Sequence, residues 1–471
     1  MIRADYPARG IVLRGDQQVR VKDALPGQTV RYRITKKNSH RTEAMLLDVL
    51  ERSPEEITAD CPHFGRCGGC SYRTLSYEDQ LKLKEDQILR LFQGTVKAAD
   101  RTDTGNEEAA ENAAAQEKGK QTKPAGIPAW FEGILGSPDQ PAYRNKMEFS
   151  FGDMEIGGEL QLGLHAKGSF YDILTVDGCR IVDEDYHRIL TCTLKWAKET
   201  GLSHFHRVTH EGCFRHLLVR KARATGEILV DLVTTSQASP DLTELKERLL
   251  DLKLDGRIAG ILHTTNDSVA DAINNGGTEV LCGTDTITEK LLGLTFRITP
   301  FSFFQTNSRG AEVLYDTVRR YIGETDNKVV FDLYSGTGTI AQVLAPAAKH
   351  VTGVEIVPEA VESAKASAKQ NGLDNCDFIC GDVLKVTGEL TEKPDLIVLD
   401  PPREGINPKA MPRIIGFGVK RIVYIACKAT SLVRDLEPLQ MAGYRVKKLC
   451  GVDLFPGTAH FEVISLLEKE E

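Results

Sequence analysis

Val329-Val330-Phe331-Asp332-Leu333-Tyr334-Ser335-Gly336-Thr337-Gly338-Thr339-Ile340-Ala341 is the stretch that decides the fold. An apolar run with one embedded acid reads as a buried parallel strand. The G-x-G-x-x-A turn that follows is the strand-to-helix corner at the ligand edge of a doubly wound sheet. The pattern repeats downstream in Val351-Thr352-Gly353-Val354-Glu355, Leu396-Ile397-Val398-Leu399-Asp400 and Arg421-Ile422-Val423-Tyr424-Ile425-Ala426. Between them a helix is predicted from Pro358 to Asn371, stopped by Gly372. The C-terminal part, 301–471, is therefore expected to be a Rossmann-like α/β domain.

Four segment ends each carry an acid, namely Asp332, Glu355, Asp382 and Asp400. Glu355 stands 19 residues past Gly336, where a carboxylate can accept hydrogen bonds from ribose hydroxyls. Several carboxylates at one edge repel a phosphate-rich ligand and suit a cationic nucleoside, S-adenosylmethionine in preference to a nicotinamide dinucleotide. Asp400-Pro401-Pro402-Arg403 is like the Asp/Asn-Pro-Pro loops beside the transferred methyl of many methyltransferases, but Arg403 replaces the aromatic residue expected for amine methylation. The next strand ends in Cys427, close to Lys428 and a helix start, so a lowered thiol pKa is expected. Glu462 is a carboxylate inside the apolar run His460-Phe461-Glu462-Val463-Ile464, and buried carboxylates rarely lack a partner or a task. A thiolate and a base beside a methyl donor have a specific use. Thiolate addition at carbon 6 of uracil makes carbon 5 nucleophilic, and the base then removes the carbon-5 proton.

At 471 residues the chain has room for two or three domains, and 41% apolar with 27% charged residues marks a folded chain. No apolar run nears the ~18 residues of a membrane span. The opening lacks the apolar core of a signal peptide, so a cytoplasmic protein without membrane association is expected. The net charge of -8 argues against an all-over nucleic-acid surface. Residues 1–53, however, hold eleven Lys/Arg against six Asp/Glu, a localised basic footprint. Short strands separated by Gly15-Asp16 and Pro26-Gly27 predict an OB-like β-barrel over 1–56, with Arg31, Arg33 and Thr35 along one face for RNA. Residues 98–126 have almost no large apolar side chains and are expected to be a flexible insert. It divides a central domain, 57–97 and 127–300, that is strand-rich and mixed α+β, with a helix near 77–92 and another near 241–251.

Cys61-Pro62-His63-Phe64-Gly65-Arg66-Cys67-Gly68-Gly69-Cys70 puts three thiols within ten residues. Such density reads as ligation of zinc or an iron–sulfur cluster. Cys179, Cys192, or His63 in the zinc case, could complete the set. Cys213, Cys282, Cys376, Cys380 and Cys450 have no partner pattern and are expected to be buried hydrophobes.

With these segments in view, the chain resembles the TRAM-domain RNA 5-methyluridine (uracil-C5) methyltransferases, most closely those acting on 23S rRNA with an iron–sulfur cluster. The resemblance spans nearly the whole chain outside 98–126. It is carried by Phe303-Phe304-Gln305-Thr306-Asn307, Asp332-Leu333-Tyr334-Ser335-Gly336-Thr337-Gly338-Thr339, Gly353-Val354-Glu355, Asp400-Pro401-Pro402-Arg403 and Phe455-Pro456 with His460-Phe461-Glu462. It implies a monomeric enzyme with Cys427 as nucleophile and Glu462 as proton acceptor. It also implies Gln305, Tyr334, Glu355, Asp382 and Asp400 around S-adenosylmethionine, a [4Fe–4S] cluster on Cys61, Cys67, Cys70 and Cys179, and residues 1–56 as the TRAM barrel. The family's nucleophile loop commonly reads Ser-Cys-Asn-Pro-x-Thr, whereas this chain has Ala426-Cys427-Lys428-Ala429-Thr430. The expected substrate is a flipped uridine, in ribosomal RNA ahead of transfer RNA. The alternatives are methylation of an exocyclic amine or a ribose, and a non-catalytic, cluster-bearing RNA-binding protein.

Overall fold

The computed structural model describes residues 1–471 except 16, 39–40, 97–126, 271–276, 387, 389, 391 and 471. The predicted insert at 98–126 thus lies outside the described residues.

The expected α/β layer is present as an eight-stranded sheet. Its order runs Cys376–Cys380, His350–Glu355, Val329–Leu333, Leu396–Leu399, Arg421–Ala426, Glu462–Lys469, Tyr444–Val452 and Phe131–Leu135. The first five strands are parallel. The Glu462–Lys469 strand is antiparallel to both of its neighbours, which places its first residue at the carboxyl edge of the parallel set. Strand order reverses on either side of Val329–Leu333, and a crevice opens at such a switch point. One face is packed by helix Ser308–Ile322, which crosses the Arg421–Ala426 and Glu462–Lys469 strands. Helix Ala429–Met441 packs against Tyr77–Gln93, and Leu436 and Leu439 join Ile88 and Phe92 in one buried cluster.

Two segments fall on the other side of a boundary drawn from sequence. Tyr77–Gln93 packs on this sheet, and Phe131–Leu135 pairs in parallel with Tyr444–Val452 as its edge strand. Neither shows the signature of a parallel strand layer, because an edge strand closed by a distant partner has no local pattern. The rest of the central segment forms a seven-stranded sheet backed by helices Glu184–Thr200 and Leu242–Leu250, and a separate hairpin of Ile287–Leu291 with Leu294–Ile298. The second helix lies where expected, with the Asp241 side chain accepting from the Thr243 amide at its start.

The N-terminal residues form a five-stranded sheet in which Gln17–Lys22 pairs in parallel with Thr42–Glu51 and the other pairs are antiparallel. Arg31, Arg33 and Thr35 are exposed on its edge strand, alternating with half-buried Val30 and Tyr32. No described helix is long and apolar enough to cross a membrane.

Lys84, on the Tyr77–Gln93 helix, is wholly buried and ion-paired at 2.7 Å with equally buried Asp453. Removing one partner leaves an uncompensated buried charge, which costs about 3–5 kcal/mol. Lys84→Ala is therefore expected to lower the unfolding free energy by about that amount in urea titration. A loss below about 1 kcal/mol would mean that water reaches Asp453 and that the pair is not structural.

Candidate active site

At the switch point the chain encloses a cleft of about 1230 Å³. Gln305, Tyr334, Glu355, Asp382, Asp400, Cys427 and Glu462, picked out from separate parts of the sequence, all line it. Asp332 does not. It lies within its strand, fully buried, with one oxygen accepting from the Ala341 amide at 3.0 Å. Burial, reinforced by Asp400, pushes its carboxyl up to about 8. The expected row of four acids at the ligand edge is thus a row of three, with the fourth holding a helix start from behind.

The glycine-rich corner is built to let a ligand approach the backbone. Tyr334 takes a left-handed conformation (φ 69°), a strained state for a residue with a side chain. Gly338 is also left-handed, and a Cβ there would stand 2.4 Å from the Phe378 ring. Glu355 accepts from the Gly336 amide and the Val357 amide, each at 2.9 Å, one on each oxygen. A carboxylate oxygen has room for a second hydrogen bond, so this side chain can hold a diol while it fixes the corner. Asp382 caps the short helix Val383–Val386 by accepting from the Leu384 amide at 2.9 Å.

Gln305 is set from the central segment. The Asn145 side chain donates to the Gln305 carbonyl at 2.9 Å, and the Asn145 amide donates to the Thr306 carbonyl at 2.7 Å. Asn307 then caps helix Ser308–Ile322, accepting from the Gly310 amide. A wall missed from sequence, Thr299 to Ser302, is held by buried Arg220, which donates to the carbonyls of Pro300 (3.0 Å) and Ser302. The available signal was an arginine at the end of the apolar run Leu217-Leu218-Val219.

Glu462 begins the final strand and is 3% exposed. Burial pushes its carboxyl up to about 8, with Asp400 adding to the shift and Arg403 opposing it. Asp400, at the cleft wall, is pushed up to about 7 by burial. The Cys427 thiol is also pushed up, to about 12, by burial and by the carboxylates of Glu462 and Asp400 against the opposing Arg403. This corrects the expectation of a lowered thiol pKa. Lys428 is exposed, and two acids outweigh the helix start that was expected to favour a thiolate. The altered nucleophile loop is anchored by other groups. The Ser431 hydroxyl donates to the Arg403 carbonyl at 2.6 Å, and Asp435 accepts from the Ile406 amide at 2.8 Å and the Tyr424 hydroxyl at 2.7 Å. The cleft thus combines a thiol, a buried carboxyl and an acidic wall that favours a cation.

Cys61, Cys67, Cys70 and Cys179 line a second, small cavity of about 20 Å³, backed by Leu164, Val176 and Ile181. Cys192 is not among its walls. His63 is, but its Nε2 accepts from the Gly178 amide at 3.0 Å, which commits that lone pair. Burial and mutual repulsion push Cys70 up to about 12 and Cys179 up to about 11. Among the described residues no three His, Cys, Asp or Glu side chains are already closed into a metal-ready set. Of the cysteines expected to be packed hydrophobes, Cys213, Cys376 and Cys450 are buried, Cys282 is half-buried and Cys380 is exposed. Cys380 differs because it ends the outermost strand of the sheet.

A family profile described as a methyltransferase domain matches residues 324–429. An RNA methyltransferase of Clostridium tetani is 46% identical over 468 residues, covering 99% of this chain and 96% of its own. Another, from Caldanaerobacter subterraneus subsp. tengcongensis, is 44% identical and covers 99% of this chain and 97% of its own. Among solved structures, the Pyrococcus abyssi tRNA (uracil-54, C5)-methyltransferase in complex with S-adenosyl-L-homocysteine superposes with a TM-score of 0.74 at 23% identity, covering 99% of each chain. That likeness is one of fold.

A carboxyl whose folded pKa is raised binds its proton more tightly than the unfolded chain does. Its contribution to stability is full below about 4.5 and is lost as pH rises through about 8. Glu462→Gln removes that loss. In urea titrations of the ligand-free protein, the unfolding midpoint of the wild type is expected to fall more steeply between about pH 5 and 9 than that of the variant. Equal slopes would mean that Glu462 ionises as freely in the fold as in water.

Proposed function

The chain belongs to the RNA methyltransferase family, and we propose that it methylates carbon 5 of a uridine in RNA, using S-adenosylmethionine as donor and Cys427 as a transient covalent catalyst. The observation that carries the reading is that Cys427, Glu462 and Asp400 line one cleft, where the two acids add to the burial that raises the Cys427 thiol. The residues present suit the donor. Glu355 has acceptor capacity for a ribose diol, Asp382 and Gln305 stand on the same wall, and Asp400 answers a positive charge. When bound, S-adenosylmethionine supplies the electrophilic methyl and a positive charge opposing the field that keeps Cys427 and Glu462 protonated.

The roles of the chain's own groups follow. Cys427 sulfur, as thiolate, bonds to carbon 6 of the uracil, and carbon 5 becomes the nucleophile that takes the methyl. The Glu462 carboxylate accepts the carbon-5 proton, and the electron pair released re-forms the ring double bond and expels the cysteine as thiolate. Arg403, which opposes the upward shift of both groups, supports their ionised forms. Arg403 also occupies the position where amine methyltransferases carry an aromatic residue, which disfavours amine methylation. The nucleotide reaches the cleft flipped out of its stack. We read the exposed Arg31, Arg33 and Thr35 face of residues 1–56 as a TRAM-type RNA contact. Large-subunit ribosomal RNA is the proposed substrate, with transfer RNA the alternative that mapping of the modified uridines would reveal.

We further propose that Cys61, Cys67, Cys70 and Cys179 hold a [4Fe–4S] cluster. What supports it is an all-sulfur donor set around one apolar-backed cavity, with Cys192 absent from it. The role proposed for the cluster is structural or in RNA docking, since the methyl transfer needs no electron from it.

Cys427→Ala is expected to abolish methyl transfer and to form no denaturation-resistant adduct with 5-fluorouridine-substituted RNA. Glu462→Gln is expected to accumulate such an adduct with ordinary RNA. Normal methylation by Cys427→Ala would end the covalent mechanism. After anaerobic reconstitution with iron and sulfide, the protein should show visible charge-transfer absorption, lost in Cys179→Ser and kept in Cys192→Ser. Absence of iron from the wild-type protein would remove the cluster.

A further inference from the structure

The turn between strands Arg3–Asp5 and Arg9–Arg14 carries Tyr6 out of the N-terminal sheet toward the catalytic pair. The Tyr6 ring packs on the Phe461 ring with centroids 4.9 Å apart and planes tilted by 52°. Phe461 is wholly buried and immediately precedes Glu462. The turn is fixed from both sides. Ala4 and Ala8 are buried in one cluster with Tyr72, Leu83 and Ala459, and Arg90 donates to the Ala4 carbonyl at 3.2 Å. A side chain on so well-seated a turn has little freedom of position.

Its polar end is less settled. Tyr6 is half-buried, and the ionisable groups that bear on its hydroxyl are Arg403, Glu462 and Cys427. The hydroxyl makes no hydrogen bond to any described residue. Burial holds the phenol up at about 12, so it is a neutral donor over the whole working pH range.

We propose that Tyr6 contacts the substrate: its hydroxyl donates a hydrogen bond to the target nucleotide when the base lies between Cys427 and Glu462. The inference rests on the uracil-C5 reading for the identity of the base. It adds that the N-terminal sheet, seated on Phe461 beside Glu462, takes part in holding the target nucleotide instead of only holding RNA outside the cleft. A uridine nucleotide offers carbonyl, ribose and phosphate acceptors to this donor. The neighbouring Arg403 guanidinium answers the phosphate charge, and the stacked Tyr6–Phe461 pair backs an aromatic base.

The test compares Tyr6→Phe and Tyr6→Ala in the full-length protein. Tyr6→Phe keeps the ring on Phe461 and removes only the donor. It is expected to lower kcat/KM for RNA by about five- to fifty-fold and to slow adduct formation with 5-fluorouridine RNA, with donor affinity and Tm unchanged. Tyr6→Ala should lose more. Wild-type kinetics in Tyr6→Phe, with a lowered Tm only in Tyr6→Ala, would make Tyr6 a packing residue and overturn the proposal. Failure of the underlying reading has a separate mark. A wild-type product methylated away from carbon 5, with no adduct, would refute the uracil chemistry while the Tyr6→Phe comparison is still read on total labelled methyl transfer.

Discussion

The ion pair between Lys84 and Asp453 is the constraint on which the catalytic end of the molecule depends. Both side chains are fully buried. The ammonium also donates to the carbonyls of Phe455 at 3.2 Å and His460 at 3.1 Å, and Asp453 accepts from the Phe455 amide at 3.0 Å. These bonds close the connection between the last two strands, whose final step delivers Glu462. The Gln80 side chain accepts from the Gly457 amide at 2.8 Å, and the Gly457 carbonyl receives the amides of Ser71 and Tyr72, just past Cys70. A buried pair is weak evidence of net stability, but it tolerates few alternative arrangements. Here it places Glu462, the Tyr77–Gln93 helix and the end of the cysteine loop in one body.

The second organising feature is an excess of buried acid. Asp332, Asp400 and Glu462 are each held toward their neutral forms by burial, and Asp400 raises both of the others. No phosphate would enter such a wall without a matching set of cations. A cationic ligand meets the opposite situation, because its charge relieves the repulsion that burial has concentrated. The same field explains why Cys427 is not a standing thiolate. A permanently ionised thiol in an accessible cleft would react with oxidants and metals, whereas one ionised only in the loaded cleft does not.

Much of the α/β layer was legible because buried parallel strands are apolar on both faces and advertise themselves without reference to partners, as Val329–Leu333 and Leu396–Leu399 do. The lining residues were legible for a related reason. Asp400 and Cys427 follow parallel strands, where chain order assigns them to one edge, whereas Glu462 was picked out as an acid in an apolar run and reaches that edge because its strand is antiparallel. What sequence could not give is depth. Asp332 belongs to the same row in the chain but lies inside its strand, and the Cys427 pKa depends on two acids 27 residues before and 35 residues after it. Phe131–Leu135 was assigned to the central segment because nothing local marks an edge strand whose partner, Tyr444–Val452, is more than 300 residues away. Arg220 and Asn145 act on the cleft through backbone carbonyls, and a carbonyl leaves no trace in a sequence pattern.

These contacts bear on what counts as the catalytic unit. The residues proposed for chemistry come from 305–462, yet their positions are set from outside it. Asn145 holds the Gln305 backbone, Arg220 holds the Thr299–Ser302 wall, Lys84 holds the approach to Glu462, and Tyr6 packs on the residue before it. A methyl transfer between two small molecules would need only the sheet and its crevice. On the proposed mechanism a base embedded in folded RNA is extracted, seated and held against a thiol, and each displacement of about 1 Å is costly to such a reaction. Supporting the cleft from three other segments ties its geometry to parts of the chain that lie outside its walls.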